Sequence, residues 1–519
     1  MHERQLRMFL AAAGFLTCCH GANARVTRLE IVRTVPYGSF LAGDYVRLDG
    51  RVVGELAPDE KIPGIDNIAL NARGRVQYAT PITIIAPKDA GSGNGALIFD
   101  VANRGRPIAL ALYNSPRGNF LPLGSFESGT GFLQDGGFTV VTAAWELGQK
   151  IELPHFTDSS GKILYPEGIG LAAIRDVVDF LHNAAADEAG APNPLSGAIN
   201  RTLAFGYSQT ARVLKTMLIE GFNQVEGRRV FDGVHLQASA SGLATILATT
   251  AGPDSSSHFT PRFTAVNFRG VHEEPFTYED IVGRMTKRGE IPPKIAVTNM
   301  TTDYFSIRAS LARTGSRGTT EAPIPANVRI YDVAGASHGR GHEPGCEMPR
   351  GELDWSPVLR AVLVALDEWV SHNRLPPPNT LMPLEARPND ETVLPAPAHL
   401  PNAIIQVPRQ DSDGNFIGGV RLPDVEVPLG VHGIQNRPFS DRSCNLSAAY
   451  LAFPKEPADR KPEDSYPSIA ELYKGREDYV NRIRVATRRL IDQRFLLPED
   501  GAIIIHAATQ SSVFDRGPR

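Results

Sequence analysis

Thr202-Leu203-Ala204-Phe205-Gly206-Tyr207-Ser208-Gln209-Thr210 is the stretch on which the fold turns. Thr202–Phe205 is a short apolar run of the kind buried in a parallel sheet. Val213, Leu214, Met217 and Leu218 then recur at helical spacing until Gly221 stops them. Ser208 therefore sits where a strand turns into a helix. A serine hydroxyl is a poor nucleophile at neutral pH, and a sharp strand–turn–helix elbow lifts it clear of its own backbone toward a base. Gly206 fits the position where a side chain would collide with such a turn, whereas Thr210 stands where glycine is usual. The plain alternative is a β-to-α loop with a solvent-facing serine.

Working outward, the elbow requires an acid after a late strand and a histidine after the last one, in the chain order nucleophile, acid, base. Ala96–Val101, Phe138–Ala143, Val230–Leu236, Pro293–Asn299 and Val328–Val333 read as further buried strands, with helices at Leu171–Leu181, Ser306–Thr314 and Val358–Val370. Asp303 follows the run ending at Asn299. Ala334-Gly335-Ala336-Ser337-His338 follows the last strand. The expected triad is Ser208, Asp303 and His338, with Asp232, Glu273, Glu274, Glu279 and Asp280 as competing acids and Asp332 read as structural. The backbone N–H groups of Gln209 and, from the Asn103-Arg104-Gly105-Arg106 loop, of Arg104 are the expected oxyanion donors. Asn103 and Gly105 stand behind Arg104, and a simple glycine turn with two solvated arginines is the alternative. The fold class is α/β, an α/β-hydrolase fold with a mostly parallel central sheet flanked by helices.

Thr27–Val35, Tyr45–Val53 and Gln77–Ile85 read as antiparallel strands ahead of this core. Residues 239–291 interrupt the strand–helix alternation and read as a cap insertion, with Phe268, Phe276 and Tyr278 either lining a substrate pocket or packing the cap. Residues 25–378 form the core and 379–519 a C-terminal extension. The extension holds a capping box at Ser468 and Glu471 and a helical pattern from Tyr479 to Ile491. Residues 1–24 read as a signal peptide: Arg4 and Arg7, an apolar run from Met8 to Cys19 too short to cross a bilayer, then Ala22-Asn23-Ala24. Cleavage would remove Cys18 and Cys19, a lipid anchor on Cys19 being the minor alternative, and leave an exported, periplasmic or secreted protein with no membrane span. Cys346 and Cys444 then either pair or remain buried free thiols. A formal charge of −4 and 21% charged residues, without a long basic tract, argue against nucleic acid as a partner. His338 and His342 have a spacing that could hold zinc on a helix, but Gly339, Gly341 and Pro344 argue for a loop, so neither metal nor cofactor is expected.

Gly206-Tyr207-Ser208-Gln209-Thr210-Ala211-Arg212 resembles the G-x-S-Q-[ST]-G-R elbow of a bacterial family called alpha/beta hydrolase domain-containing proteins. The likeness extends to Asn103-Arg104-Gly105, Phe222-Asn223, Arg228–Gly233, Thr302-Asp303-Tyr304 and Ala334–His338. It implies that Thr210 belongs in the elbow. It also implies a serine hydrolase acting on small-molecule or polymeric esters, with Ser208 and His338 carrying over directly. The chain departs from the pattern at Ala211, where the family has glycine, and at Asp303, where it has glutamate. An acyltransferase or amidase using the same triad, or a non-catalytic binding protein that keeps the fold, are the alternatives.

Overall fold

The computed structural model describes residues 25–148, 150–244, 248–250, 276–339, 345–351, 353–387, 393, 395–396, 401–438, 442–461 and 466–515. The proposed signal peptide with Cys18 and Cys19, the residues Phe268, Glu273, Glu274 and His342, and most of the middle of the 239–291 insertion lie outside them.

Two long strands, β1 (Val26–Phe40) and β2 (Gly43–Leu56), form an antiparallel hairpin that continues into β3 (Val76–Pro87). The strands β4 (Ala96–Asp100), β5 (Thr139–Ala143), β6 (Arg201–Tyr207), β7 (Gly233–Gln237), β8 (Lys294–Met300) and β9 (Val328–Val333) follow. Among the described residues they form one nine-stranded sheet in the order β1-β2-β3-β5-β4-β6-β7-β8-β9. Pairing is parallel from β5 through to β9. Parallel neighbours need crossovers, and helices supply them. They include α1 (Ala109–Tyr113), α2 (Gly168–Asn183), α3 (Gln209–Glu220), α4 (Tyr278–Lys287), α5 (Thr301–Ser306) and α6 (Ser356–His372).

Alternation along the strands feeds two cores, since successive side chains point to opposite faces. Leu97 and Phe99 of β4 pack with α2, α3 and α4, while Ala96 and Ile98 pack with α1 and α6. The second face is also where the chain beyond 379 lies. It contributes β10 (Gly430–Gln435), α7 (Arg442–Leu446), β11 (Ala448–Ala452), α8 (Arg476–Asp492) and α9 (Pro498–Thr509), with Val431, Ile483, Leu490 and Ile504 buried in the same cluster as Trp355 and Trp369. The outer edge of β9 is covered rather than left open. Asp332 N–H donates to the Thr380 carbonyl, and the Asp332 carbonyl accepts from Val420 N–H.

Two local expectations are corrected. Ser306–Thr314 is not one helix: α5 ends at Ser306, Ile307 and Ala309 N–H both turn back to the Asp303 carbonyl, and Arg308 has φ 57° before a short turn at Leu311–Thr314. Ser356, two residues ahead of the expected Val358, is the first residue of α6. Its N–H and hydroxyl both bond to Asp354 Oδ1. The capping box at Ser468 and Glu471 is present but heads the short turn Ile469–Leu472, separate from α8.

Candidate active site

The elbow is built from the inside out. Ser208 adopts φ 56° and ψ −108°, a conformation that a non-glycine residue holds only where its surroundings enforce it. Here Ser208 N–H donates to the Gln237 carbonyl at the end of β7. A Cβ on Gly206 would lie 2.6 Å from the Thr210 carbonyl oxygen, so glycine is obligatory there. Thr210 explains its own presence. Its hydroxyl accepts from Tyr207 N–H at 2.9 Å and donates to the Tyr207 carbonyl at 3.2 Å, bracing the turn where a glycine would leave it unsupported. The N-terminus of α3, with its partial positive charge, opens directly beneath the serine.

Ser208 Oγ lies 2.9 Å from His338 Nε2, and His338 Nδ1 lies 2.6 Å from Asp303 Oδ1. The histidine and the acid are buried, and the serine is partly exposed. Asp303 Oδ2 accepts from Met300 N–H at 2.7 Å, so both carboxylate oxygens are engaged and the group cannot rotate freely. Aspartate at a position where glutamate was expected therefore spans the distance. Short though it is, its place on the first turn of α5 brings it to the ring.

Of the other acids, Asp232 pairs with Arg229 and the Thr202 N–H at the opposite end of the strands. Glu279 pairs with Arg317, and Asp280 caps α4 through Thr277. Asp332 is buried among Asn299, Tyr304, Arg313 and the Met382 N–H. Burial raises its pKa above the usual carboxylate value, opposed by Arg313 and its hydrogen-bond donors.

Four residues whose hydrogen bonds hold the histidine loop were given no role in the sequence reading. Thr302 Oγ1 accepts from His338 N–H at 2.6 Å, and Tyr207 donates its hydroxyl to the His338 carbonyl at 2.6 Å. Thr301 Oγ1 accepts from Gly335 N–H at 2.8 Å. Ser337, next to the histidine, is the fourth and is bonded to the chain around Leu446. The Thr301-Thr302-Asp303 run held the only available signal, two hydroxyls beside the nominated acid.

On the other side of the elbow, the loop after β4 is fastened at several points. Asn103 Nδ2 donates to the Tyr207 carbonyl at 2.8 Å, and Trp145 Nε1 donates to the Ala102 carbonyl at 2.8 Å. Asp100 Oδ2 accepts from Ile108 N–H at 2.6 Å and Ala109 N–H at 2.8 Å, tying the loop's two ends together. Burial pushes the Asp100 carboxyl up to about 7, against the pull of those two donors. Asn103 N–H is occupied by the Arg106 carbonyl, which removes it from the candidate oxyanion donors. Arg104 follows with φ 52°, and burial lowers the pKa of its guanidinium while Glu146 nearby raises it. Gln209 Nε2 donates to Glu146 Oε1 at 2.9 Å.

Phe276 and Tyr278 occupy packing positions. Tyr278 is buried at the start of α4 with its hydroxyl 3.3 Å from Ser239 Oγ, and the Arg284 guanidinium lies over the Phe276 ring. Cys346 and Cys444 form a disulfide, with Cα atoms 5.6 Å apart. Among the described residues no cluster of three or more His, Cys, Asp or Glu side chains could hold a metal ion, and no helix is long and apolar enough to cross a membrane.

Strand order, elbow and relay together define the class, an α/β-hydrolase fold carrying a Ser–His–Asp relay. The chain belongs to the alpha/beta hydrolase domain family, whose model matches residues 149–506. No curated protein matches it. Similar solved structures include the S-formylglutathione hydrolase FrmB of Staphylococcus aureus, 10% identical over 53% of this chain and 80% of that one, with a TM-score of 0.25. Esterase Est22 is 13% identical over 48% of this chain and 63% of its own, with a TM-score of 0.25. Brefeldin A esterase, a bacterial homologue of human hormone-sensitive lipase, is 14% identical over 48% and 60%, with a TM-score of 0.22. This chain thus spans less than two thirds of the length of the last two. These likenesses are remote, and the fold is assigned on topology and family membership.

Proposed function

We propose that this chain is an exported serine hydrolase that cleaves carboxylic esters through an acyl-enzyme on Ser208. The observation that carries the reading is the continuous relay from Ser208 Oγ to His338 Nε2 at 2.9 Å and from His338 Nδ1 to Asp303 at 2.6 Å, joining residues 130 and 35 positions apart in the chain. Neutral His338 takes the hydroxyl proton as Ser208 Oγ attacks the ester carbonyl carbon, and Asp303 holds the proton on Nδ1 and stabilises the imidazolium that forms. The oxyanion meets the N–H of Gln209 at the helix N-terminus and that of Arg104 from the facing loop. Collapse of the intermediate breaks the carbon–oxygen bond, and the His338 proton passes to the departing alkoxide. Water then repeats the sequence on the acyl-enzyme and regenerates the serine.

Export is supported by the N-terminal pattern of residues 1–24 and by a disulfide of the kind that persists in oxidising compartments. A fluorophosphonate probe tests the chemistry directly. The mature protein should label at Ser208 and hydrolyse acyl esters, and Ser208→Ala and His338→Ala should do neither. Equal rates in all three proteins would remove the triad.

A further inference from the structure

The histidine's loop is held by a part of the chain about a hundred residues further on. Ser337 is buried immediately before His338. Its hydroxyl accepts from Ala448 N–H at 3.1 Å and faces two carbonyl acceptors, Gly339 at 3.0 Å and Leu446 at 3.3 Å. The same Leu446 carbonyl lies 3.5 Å from the hydroxyl of Thr302, which in turn accepts from His338 N–H. Leu446 and Ala448 therefore meet the residue before the histidine and the residue that holds the histidine's own amide.

The chain downstream of the histidine is fastened to the same place. Gly351 N–H donates to the Ala448 carbonyl at 2.9 Å, Tyr450 N–H to the Pro349 carbonyl at 3.1 Å, and Met348 exchanges two hydrogen bonds with the Asn436 side chain. Cys346 is covalently joined to Cys444 of α7, two residues before Leu446. Gly335, at the other end of the loop, leaves no room for a Cβ, which would lie 2.9 Å from Cβ of His432 on β10.

We infer that the 444–448 segment is part of the catalytic apparatus, with Ser337 as the positioning residue through which it sets the His338 ring and the Cys346–Cys444 bond as the brace that keeps it in register. The inference rests on the triad reading of Ser208, Asp303 and His338. The physical reason is tolerance. A base must stay within about 0.5 Å of its productive position, and a loop of small residues has no stiffness of its own to keep it there. Three hydrogen bonds and a covalent crosslink from one segment supply what Ala334-Gly335-Ala336 cannot.

A brace that serves catalysis differs from one that serves only stability in what it changes at temperatures where the protein is fully folded. The experiment compares the full mature chain with its Ser337→Ala form and its Cys346→Ser/Cys444→Ser form, using p-nitrophenyl acetate hydrolysis, fluorophosphonate labelling and melting by circular dichroism. Each variant should lose at least tenfold in kcat and in labelling rate, with KM within twofold, when assayed well below its own melting temperature. Dithiothreitol should bring the wild-type rate down to that of the cysteine variant, reoxidation should restore it, and the cysteine variant should ignore the reductant. Wild-type kcat in variants that merely melt earlier would overturn the inference and leave the triad standing. A wild-type protein that neither labels nor turns over would overturn both. If the cysteine variant does not fold, Ser337→Ala and reduction of the native protein decide by the same criteria.

Discussion

Asp303→Asn separates the orienting acid from every other carboxylate near the site, and its effect follows from one backbone donor. Met300 N–H, fixed at the end of β8, points at Asp303 Oδ2 from 2.7 Å and accepts no substitute for an oxygen. An asparagine that keeps its oxygen there must turn its NH2 group toward His338 Nδ1. A ring nitrogen facing a donor must be the unprotonated one, so the proton moves to Nε2 and points at Ser208 Oγ, where the hydroxyl then finds no base. Turning the amide over restores the ring tautomer but sets two donors against each other at Met300, which costs about 1–3 kcal/mol for a buried unsatisfied N–H. The imidazolium formed during attack also loses its counter-charge. The sum should approach the ~10^4-fold loss in kcat typical of this substitution in Ser–His–Asp sites, roughly 5–6 kcal/mol in the barrier. Hydrolysis of p-nitrophenyl acetate and the fluorophosphonate labelling rate measure it, and a circular dichroism melt within a few degrees of wild type shows that the fold is intact. Asp332→Asn is the matched control. It should keep most of its activity and melt earlier, because it removes one of the two carboxylate partners of buried Arg313 and leaves Glu321 as the other, a loss smaller than the about 3–5 kcal/mol of a buried charge left unpaired. A loss under tenfold for Asp303→Asn would refute the assignment, and collapse of activity in Asp332→Asn alone would transfer the role.

Two further outcomes are expected. Gly206→Ala drives a methyl group against the Thr210 carbonyl at 2.6 Å and should cost about 1–3 kcal/mol of stability and most of the fluorophosphonate reactivity; a fully reactive, undisturbed variant would mean that the elbow is not tight. Asp100 gives the protein a pH signature: its folded pKa of about 7 exceeds the ordinary carboxyl value of 3.8, so the native state binds the proton more tightly than the unfolded chain. Stability from this group is complete below about pH 4, falls as pH rises through 7 by an amount on the order of 4 kcal/mol, and levels off above. Urea midpoints from pH 5 to 8 should show that slope in the wild type and a flatter one in Asp100→Asn, and identical slopes would refute the shift.

The meeting of Ser208, Asp303 and His338 was legible because each is marked by strand grammar: buried apolar runs followed by the three residues in the order the sheet requires. Thr210 departs from the general elbow pattern and was expected only through the family resemblance, while its reason, a hydroxyl that bonds back to Tyr207, lies in the structure. What stayed hidden depends on contacts between distant segments. Arg104 was nominated as a donor ahead of Asn103 and Gly105 with no contact to separate them, and it is the Arg106 carbonyl, bonded to Asn103 N–H, that removes Asn103. Cys346 and Cys444 stand 98 residues apart, a spacing that fixes no distance, so pairing and free thiols read alike. Ser306–Thr314 looked helical because its apolar residues have the right period, but the Asp303 carbonyl captures two later N–H groups and breaks the run.

The folding unit is larger than the stretch that the family model matches. Residues 149–506 include the serine, the acid, the histidine and the 444–448 segment, yet they begin after β5. The strand beside the nucleophile's own, β4, therefore lies outside, as do Asp100, Asn103 and Trp145, which hold the facing loop against the elbow. Ile98 and Phe99 of β4 are fully buried, one toward each core, so a chain cut to the matched residues would expose both faces of the sheet at its centre and leave the edge of β6 unpaired. Asn103 and Trp145, before residue 149, fasten the loop that faces the serine, and Leu446 and Ala448, after 379, bond the residue next to the histidine. On physical grounds the elbow and the histidine loop each depend on contacts from outside residues 149–379.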